Sequence, residues 1–485
     1  MNRIMDSYRN LSPRIKASFW FVFCNVFSKG IVFVTLPVFS RLLTTSEFGE
    51  VSVYTSWVSI VSIISTLTIW GGVFNVSMVK HDSRREEVVS SFQGLALFLT
   101  VVVFALSFVL FPYISRFFGL GRRLFIFMFI EIAAQVPFFL WDADQRYKFE
   151  YKKIVFVTVV ISVLNPILGI IMVMNSRDKV AARIISGLII NVILGIIFFV
   201  YNQIRGKVLF DKYLWKFAFL FNIVLVPHYL SMQVLNQSDR IMIKSLCGSG
   251  DAGIYSVAYN FASVLLLVTS GINSALTPHI YQSLKNRNEQ RLKEQTSAIV
   301  VLVACFALFF MVLIPDVFRL ILPESYYPAL KVIPPVSAGA FFVFLYPLFG
   351  SVEFYYEEKY YVTAASLAGA ILNVLLNYVF IKMYGFIAAA YTTLFCYVCF
   401  AICHYCFMRH VMKKKQNDTE IYDRRIIIMC SAALICSSFA LYMLYYNNII
   451  RWMIEAIIVV TAVWKKDSII NIIKCVLGTQ KSSEG

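Results

Sequence analysis

The chain alternates long apolar stretches with short polar connections from one end to the other. Apolar runs fall at about 17–40, 50–73, 90–114, 123–141, 154–174, 181–201, 217–246, 252–280, 297–322, 329–352, 361–382, 386–408, 426–446 and 449–464. Most reach the roughly 20 residues that carry a helix across a hydrocarbon core about 30 Å thick. Within such a core only a helix or a closed barrel satisfies every backbone N–H and C=O. The pattern therefore predicts an all-α polytopic membrane protein of twelve to fourteen spans, the last two runs forming a C-terminal helix pair. The longest connection, about 409–425, is too short for a separate domain.

Lysine and arginine sort the connections into two sets. With the N-terminus placed inside, the termini and alternate connections carry thirty basic residues against twelve on the other side, leaving only Lys29 and Arg41 in the first hairpin. That bias predicts both termini in the cytoplasm. The segment MNRIMDSYRNLSPRIK is basic and polar, which argues against a cleavable signal.

The pattern also repeats. TTSEFGEVSVYTSWVSI (44–60) overlays GSGDAGIYSVAYNFASV (248–264) at a shift of 204, matching Gly49 with Gly253, Ser52 with Ser256, Val53 with Val257 and Ser59 with Ser263. FPYISR (111–116) pairs with IPDVFR (314–319), and LNPILGI (164–170) with LNVLLNY (372–378). Each pair is six spans apart, so both halves run in the same direction, an arrangement that transporters use with a site between the halves. The expected organisation is a lobe of spans one to six (1–204), a lobe of spans seven to twelve (205–410), and a helix pair with tail (411–485).

Composition agrees. Hydrophobic residues make up 59% of the chain and charged ones 15%, against roughly 45–50% and about 25% in soluble domains; mean hydropathy is +0.73. The net charge of +17 sits in the short loops, a membrane signature that argues against nucleic acid. Cys396, Cys399, Cys403 and Cys406 share one face of one run. A single straight helix cannot wrap a tetrahedral ion, so they read as small buried hydrophobes.

Charge at membrane depth costs roughly 2.5–3.5 kcal/mol per residue on insertion scales, so each instance needs a partner or a role. Lys29 lies midway along span one, with Asn25 one turn before it on the same face, and Arg41 closes the run. Span seven carries Gln233, Asn236, Arg240 and Lys244 in steps of three, four and four. Arg240 and Lys244 are like charges at i,i+4, a pairing that a shared anion eases, with snorkelling to the headgroups as the alternative. Glu131 and Gln135 in span four and Asp239 in span seven carry a coupling ion, H⁺ or Na⁺, or else pair with basic residues. Ser52, Thr55, Ser59, Ser62 and Thr66 in span two read mainly as close packing through small residues. Asp142 and Asp144 border the basic loop after span four. No His-rich metal pattern, phosphate loop or nucleophile elbow stands in the chain, so neither an enzyme nor a bound cofactor is expected.

RLLTTSEFGEVSVYTSW after span one, QRYKFEYKK after span four and DRIMIKSLCGSGDAGIYSVAYNF across spans seven and eight resemble the polysaccharide-transporter branch of the multidrug/oligosaccharidyl-lipid/polysaccharide (MOP) exporter superfamily. Within it the chain is most similar to bacterial O-antigen flippases of the Wzx type, over spans one to twelve. The resemblance implies two six-helix lobes in a V, alternating access and a cationic central cavity. It implies an undecaprenyl-diphosphate-linked oligosaccharide as cargo, in the bacterial cytoplasmic (inner) membrane, with membrane lipids and the polysaccharide polymerase and chain-length machinery as partners. Lys29 stands where drug-exporting relatives often keep an acidic residue, which speaks against the alternative, a cation-coupled multidrug exporter of the same fold.

Overall fold

The computed structural model describes residues 12–415, 420–445 and 448–464. The first apolar runs become α1 (Pro13–Leu42), α2 (Thr45–Thr66), a short α3 (Gly72–Lys80), α4 (Arg85–Val109), the one-sided α5 (Phe111–Phe118), α6 (Arg122–Tyr147), α7 (Tyr151–Met174) and α8 (Lys179–Gly206). Then come α9 (Lys212–Ile223), α10 (Val226–Cys247), α11 (Ser249–Lys285), α12 (Glu289–Ile321), α13 (Ile333–Tyr355), α14 (Lys359–Tyr384), α15 (Ile387–Lys415), α16 (Arg424–Leu444) and α17 (Asn448–Trp464). Twelve described helices are long and apolar enough to cross a membrane, thirteen with α9 and α10 taken as one broken span. The fourteenth run forms α17, described over Asn448–Trp464. Its buried Arg451 is tied to Asp316 of α12 at 2.6 Å. The run KKDSIINIIKCVLG lies outside the described residues.

Span seven departs from the expected single helix. It bends by 52° between α9 and α10. Pro227, second residue of α10, has no N–H for the carbonyl four residues back and its ring crowds that turn. Freed groups are taken up locally: Leu225 N–H donates to Asn222 O at 2.8 Å. The buried Asn222 side chain donates to Leu67 O (2.8 Å) and Thr68 O (3.3 Å), holding the left-handed pair Leu67 and Thr68 that ends α2.

Two compact units divide after Gly253, later than the expected 204, because α10 packs along α2 within the first unit. The repeat is visible inside them. In both, the fourth span packs on the sixth (α6 on α8, α13 on α15) and the fifth also packs on the sixth. Asn165 of α7 accepts from Arg183 of α8 at 3.1 Å, and its counterpart Asn373 of α14 donates to Thr393 of α15 at 3.0 Å. The turn after the fourth span recurs at a shift of 208: Phe149 and Glu357 are both left-handed, and the next N–H closes back on Gln145 O (2.9 Å) and Glu353 O (3.0 Å).

The doubled acidic–glycine motif is a helix start and a crossing. Thr44 and Glu47 form a capping box, Glu47 N–H donating to Thr44 Oγ1 at 3.2 Å and Thr44 N–H to Glu47 Oε2 at 2.8 Å. At the fifth residue of each helix, a Cβ on Gly49 would stand 1.8 Å from Ser249 O, and one on Gly253 1.9 Å from Thr45 O. Thr45 and Ser249 are themselves 204 apart, so each glycine meets the repeat equivalent of the residue that the other meets. Of the four cysteines expected to be buried, Cys396 is, Cys399 is half-buried, and Cys403 and Cys406 are exposed. Asp142 and Asp144 pair with Arg146 (2.6 Å) and Lys148 (2.7 Å) at the end of α6, bordering the basic loop as expected.

Candidate functional site

A cavity of about 570 Å³ opens in the first unit between α2, α6 and α10. Each helix gives it one face. Thr55, Val58, Ser59, Ser62 and Ile63 come from α2, Glu131, Gln135 and Phe139 from α6, and Tyr229, Met232 and Gln233 from α10. Every set follows the three-and-four spacing of a helical stripe. Thr68 and Trp70 complete the wall from the turn that Asn222 holds, and Trp70 rests on Phe139 with ring centres 4.7 Å apart.

Glu131 is the one charged residue among these lining residues. Its Oε2 accepts from Tyr54 OH of α2 at 2.7 Å, and Oε1 accepts from Gln135 (3.2 Å) and from Asn191 of α8 (3.1 Å). Three donors from three helices fix the carboxylate, and such bonds to a charged acceptor are the strong ones. Arg183 of α8, stacked over Phe39 at 4.6 Å and bonded to Asn165 and Ser186, acts on Glu131 at longer range. The hydroxyls of Ser59 and Ser62 donate to carbonyls of their own helix. Their oxygens still offer acceptor sites at the wall, and their small size leaves the room.

The anticipated cationic residues are placed unevenly. Asn25, Lys29 and Arg41 are exposed on α1, and none bonds to another described residue. Gln233 lines the cavity, while Asn236 turns back to donate to Met232 O at 2.7 Å. Arg240 is only 8% exposed and donates to Asn236 O (3.1 Å) and Gln237 Oε1 (2.7 Å); Gln237 also accepts from Ser56 of α2. Lys244 bonds Glu50 at 2.6 Å and Gly119 O at 2.8 Å. Within the protein, Lys244 is thus paired with Glu50, and Arg240 bonds an amide. Glu50 reaches Lys244 because the glycine crossing one residue earlier brings α2 against this end of α10. Asp239 is buried on α10 and does not line the cavity.

Glu50, Tyr54, Arg183 and Asn191 were not anticipated. Asn191 carried a signal, as a lone amide inside the apolar run 181–201. A second, wider groove of about 850 Å³ between α14, α15 and α16 is almost wholly apolar, walled by residues such as Phe380, Tyr391, Phe395 and Phe439.

Comparisons with known proteins agree with this architecture. The family model described as "Polysaccharide biosynthesis protein" matches residues 15–284, and the MatE model matches 225–379. A succinoglycan biosynthesis transport protein, ExoT, of Rhizobium meliloti is 23% identical over 312 residues, 59% of this chain and 58% of that one. In fold the chain is similar to the lipid II flippase MurJ in an inward closed conformation, with TM-score 0.66 at 14% identity over 94% of this chain and 100% of that one. It is also similar to an inward-facing multidrug resistance MATE family transporter of the MOP superfamily, with TM-score 0.64 at 12% identity over 80% and 96%. With more than half its length matched by that family model and its helices folded as in these transporters, the chain is a multi-pass membrane protein that belongs to the polysaccharide transporter family of the MOP superfamily.

Proposed function

We propose that the protein turns an undecaprenyl-diphosphate-linked oligosaccharide, an O-antigen or related surface-polysaccharide repeat unit, from the cytoplasmic to the periplasmic leaflet by alternating access. The observation that carries this reading is the cavity lining. Hydroxyls, two glutamine amides, a fixed carboxylate and the Trp70–Phe139 pair give sugar hydroxyls and ring faces their usual partners in a chamber of ligand size. Two relatives, named for lipid II flipping and succinoglycan transport, add support from the cargo side. The protein sits in the bacterial inner membrane with both termini cytoplasmic, as the basic bias favours, and hands its product to the polymerase and chain-length machinery.

A diphosphate needs positive charge that is not already spent. Lys244 is neutralised by Glu50, whereas Lys29 and Arg41 have no described partner. Lys29, with Asn25 beside it, takes the diphosphate in this reading. Lys29→Ala is expected to lower surface-polymer output about tenfold at unchanged protein level, the scale of one charge-assisted contact of roughly 1.5 kcal/mol; Lys29→Arg retains most of it. Full output from Lys29→Ala removes the assignment. Glu131 or Asp239 carries the coupling ion, H⁺ or Na⁺.

One observation favours the second reading, a cation-coupled multidrug exporter. Glu131, the one charge among the described residues lining the cavity, would suit a cationic drug. The three donors already on that carboxylate argue the other way. Expression that confers dye resistance, together with intact surface glycan on deletion, would decide for the exporter.

A further inference from the structure

The second unit encloses an acid–imidazole pair that the transport reading does not use. Glu353, two residues from the end of α13, is fully buried, and His404 on α15 is 1% exposed. Glu353 Oε1 lies 2.9 Å from His404 Nδ1. Each partner also keeps one buried atom, Glu353 Oε2 and His404 Nε2, with no hydrogen-bond partner. The surroundings are apolar: the imidazole packs edge-on against Phe400 (4.7 Å) and near Tyr346 (5.8 Å), over the bare backbone of Gly350.

Charge arithmetic constrains what such a pair holds. A carboxylate beside a neutral imidazole is a lone buried anion, and a carboxylic acid beside an imidazolium is a lone buried cation; apolar surroundings penalise both. The neutral combinations, carboxylate with imidazolium or carboxylic acid with imidazole, contain the same number of protons. The pair therefore keeps one exchangeable proton between Oε1 and Nδ1, and loses or gains it only with water at hand.

The fold does not demand an acid here. The turn shared by both units aligns Glu353 with Gln145, a buried neutral amide of the same size in the first unit. A carboxylate where its counterpart is an amide, facing an imidazole nitrogen that can share a proton with it, marks a site for a proton.

We propose that Glu353 and His404 form a proton-binding site inside the second unit, sealed in this conformation and filled or emptied when α13 and α15 part. The charged groups of the neighbouring elements stand at helix ends. On α12 these are Glu289, Arg291, Lys293 and Glu294 at one end and Asp316 and Arg319 at the other; on α14, Lys382; on α16, Arg424 and Arg425. Glu324 and Lys331 precede α13 at its far end. At the near end come Glu357 and Glu358 after α13, Arg409 to Lys415 on α15, and Glu420 bonded to Lys293 at 3.4 Å. Tyr405 and Tyr422 pack on Phe349, and Tyr422 OH donates to Leu348 O at 2.9 Å. The acidic turn Glu357–Glu358 is thus the nearest collecting surface along the chain from which a proton enters.

The test is a pH titration of the purified full-length protein by infrared spectroscopy, wild type against Glu353→Gln. The expected result is the loss of one titrating carboxyl in Glu353→Gln, and slow exchange of that group into heavy water in wild type. Identical titrations overturn the proposal. Gln145 indicates that the amide is tolerated; should the variant nonetheless fail to fold, nitrogen-15 histidine labelling of wild type decides. One of the chain's five imidazoles is expected to resist solvent exchange, and five freely exchanging ones overturn the site. Neither measurement involves cargo, so failure here leaves the flippase reading standing.

Discussion

The two units share a repeat, yet one is hollow where the other is filled. In the first, the second and fourth spans leave the 570 Å³ cavity between them and α10. In the second, the equivalent spans α11 and α13, with α15, leave about 10 Å³, no more than one water's worth. Repeat-equivalent positions explain the difference. Thr55 and Ser62 line the cavity in α2; 204 residues on, Tyr259 and Leu266 occupy the same two places in α11 and line the filled space. Both units also bond a carboxylate on the fourth span to the sixth, Glu131 to Asn191 and Glu353 to His404. The first faces the cavity among neutral donors, the second is sealed with a titratable partner. One hairpin pattern thus encloses a cavity in one copy and packs densely in the other, and the side chains that decide it are few.

The most severe test makes the first unit resemble the second. Thr55→Tyr with Ser62→Leu places the bulk of α11 on α2. Surface-polymer output is expected to fall to the level of the deletion strain, while thermal unfolding in detergent stays at or above wild type because the added apolar surface packs against Val58, Ile63 and Phe139. Normal output from the double variant would separate the cavity from transport altogether.

The repeat-related glycines give the next largest effect. A Cβ on either Gly49 or Gly253 meets backbone oxygen, which cannot swing aside, so Gly49→Ala and Gly253→Ala are each expected to cost about 1–3 kcal/mol, the range for overpacking. Because one separation of α2 from α11 relieves both clashes, the double variant should cost clearly less than the sum. Thermal unfolding of the four proteins checks this; strict additivity would mean the two glycines do not share one crossing.

Much of this architecture was legible because bilayer thickness imposes run length on sequence, and each of the first thirteen runs is helical, though those at 50–73, 90–114 and 217–246 are each divided between two helices. The break in span seven was not, since the run containing Pro227 has the length of one span and only the 52° bend reveals the proline's effect. Periodicity put Thr55, Ser59 and Ser62 on one face but could not say what that face meets; close packing was the expectation and a cavity is the outcome. Lys244 is the opposite case. Its depth pointed to an unmet charge, but the partner, Glu50, lies 194 residues away in sequence and is supplied by a tertiary crossing. Arg183 and Asn191 follow the same rule, their importance set by what α6 presents to them.

The mildest expected effect concerns how the sixth span of each unit begins. Asp178 caps α8, its carboxylate accepting from Ala181 N–H at 2.9 Å, with Arg123 at 2.5 Å. In the second unit Tyr384-Gly385-Phe386 precedes α15 and offers no Ser, Thr, Asp or Asn. The Ala181 N–H, and then the Arg123 guanidinium, hold the Asp178 carboxyl below the usual carboxylate range. A depressed folded-state pKa adds stability that is complete above the ordinary value of about 3.9 and is lost as pH falls through the folded one. Both members of the ion pair are more than half exposed, so the bridge itself adds little, and Asp178→Ala is expected to cost about 1 kcal/mol near neutral pH, the usual worth of an N-cap. Amide exchange in the first turn of α8 should quicken in Asp178→Ala at pH 7. The difference from wild type should fade once the carboxyl is protonated, while the first turn of α15 stays unchanged throughout. An effect of equal size on both helices would show that the substitution loosens the protein as a whole, and the contrast between a capped and an uncapped sixth span would lose its meaning.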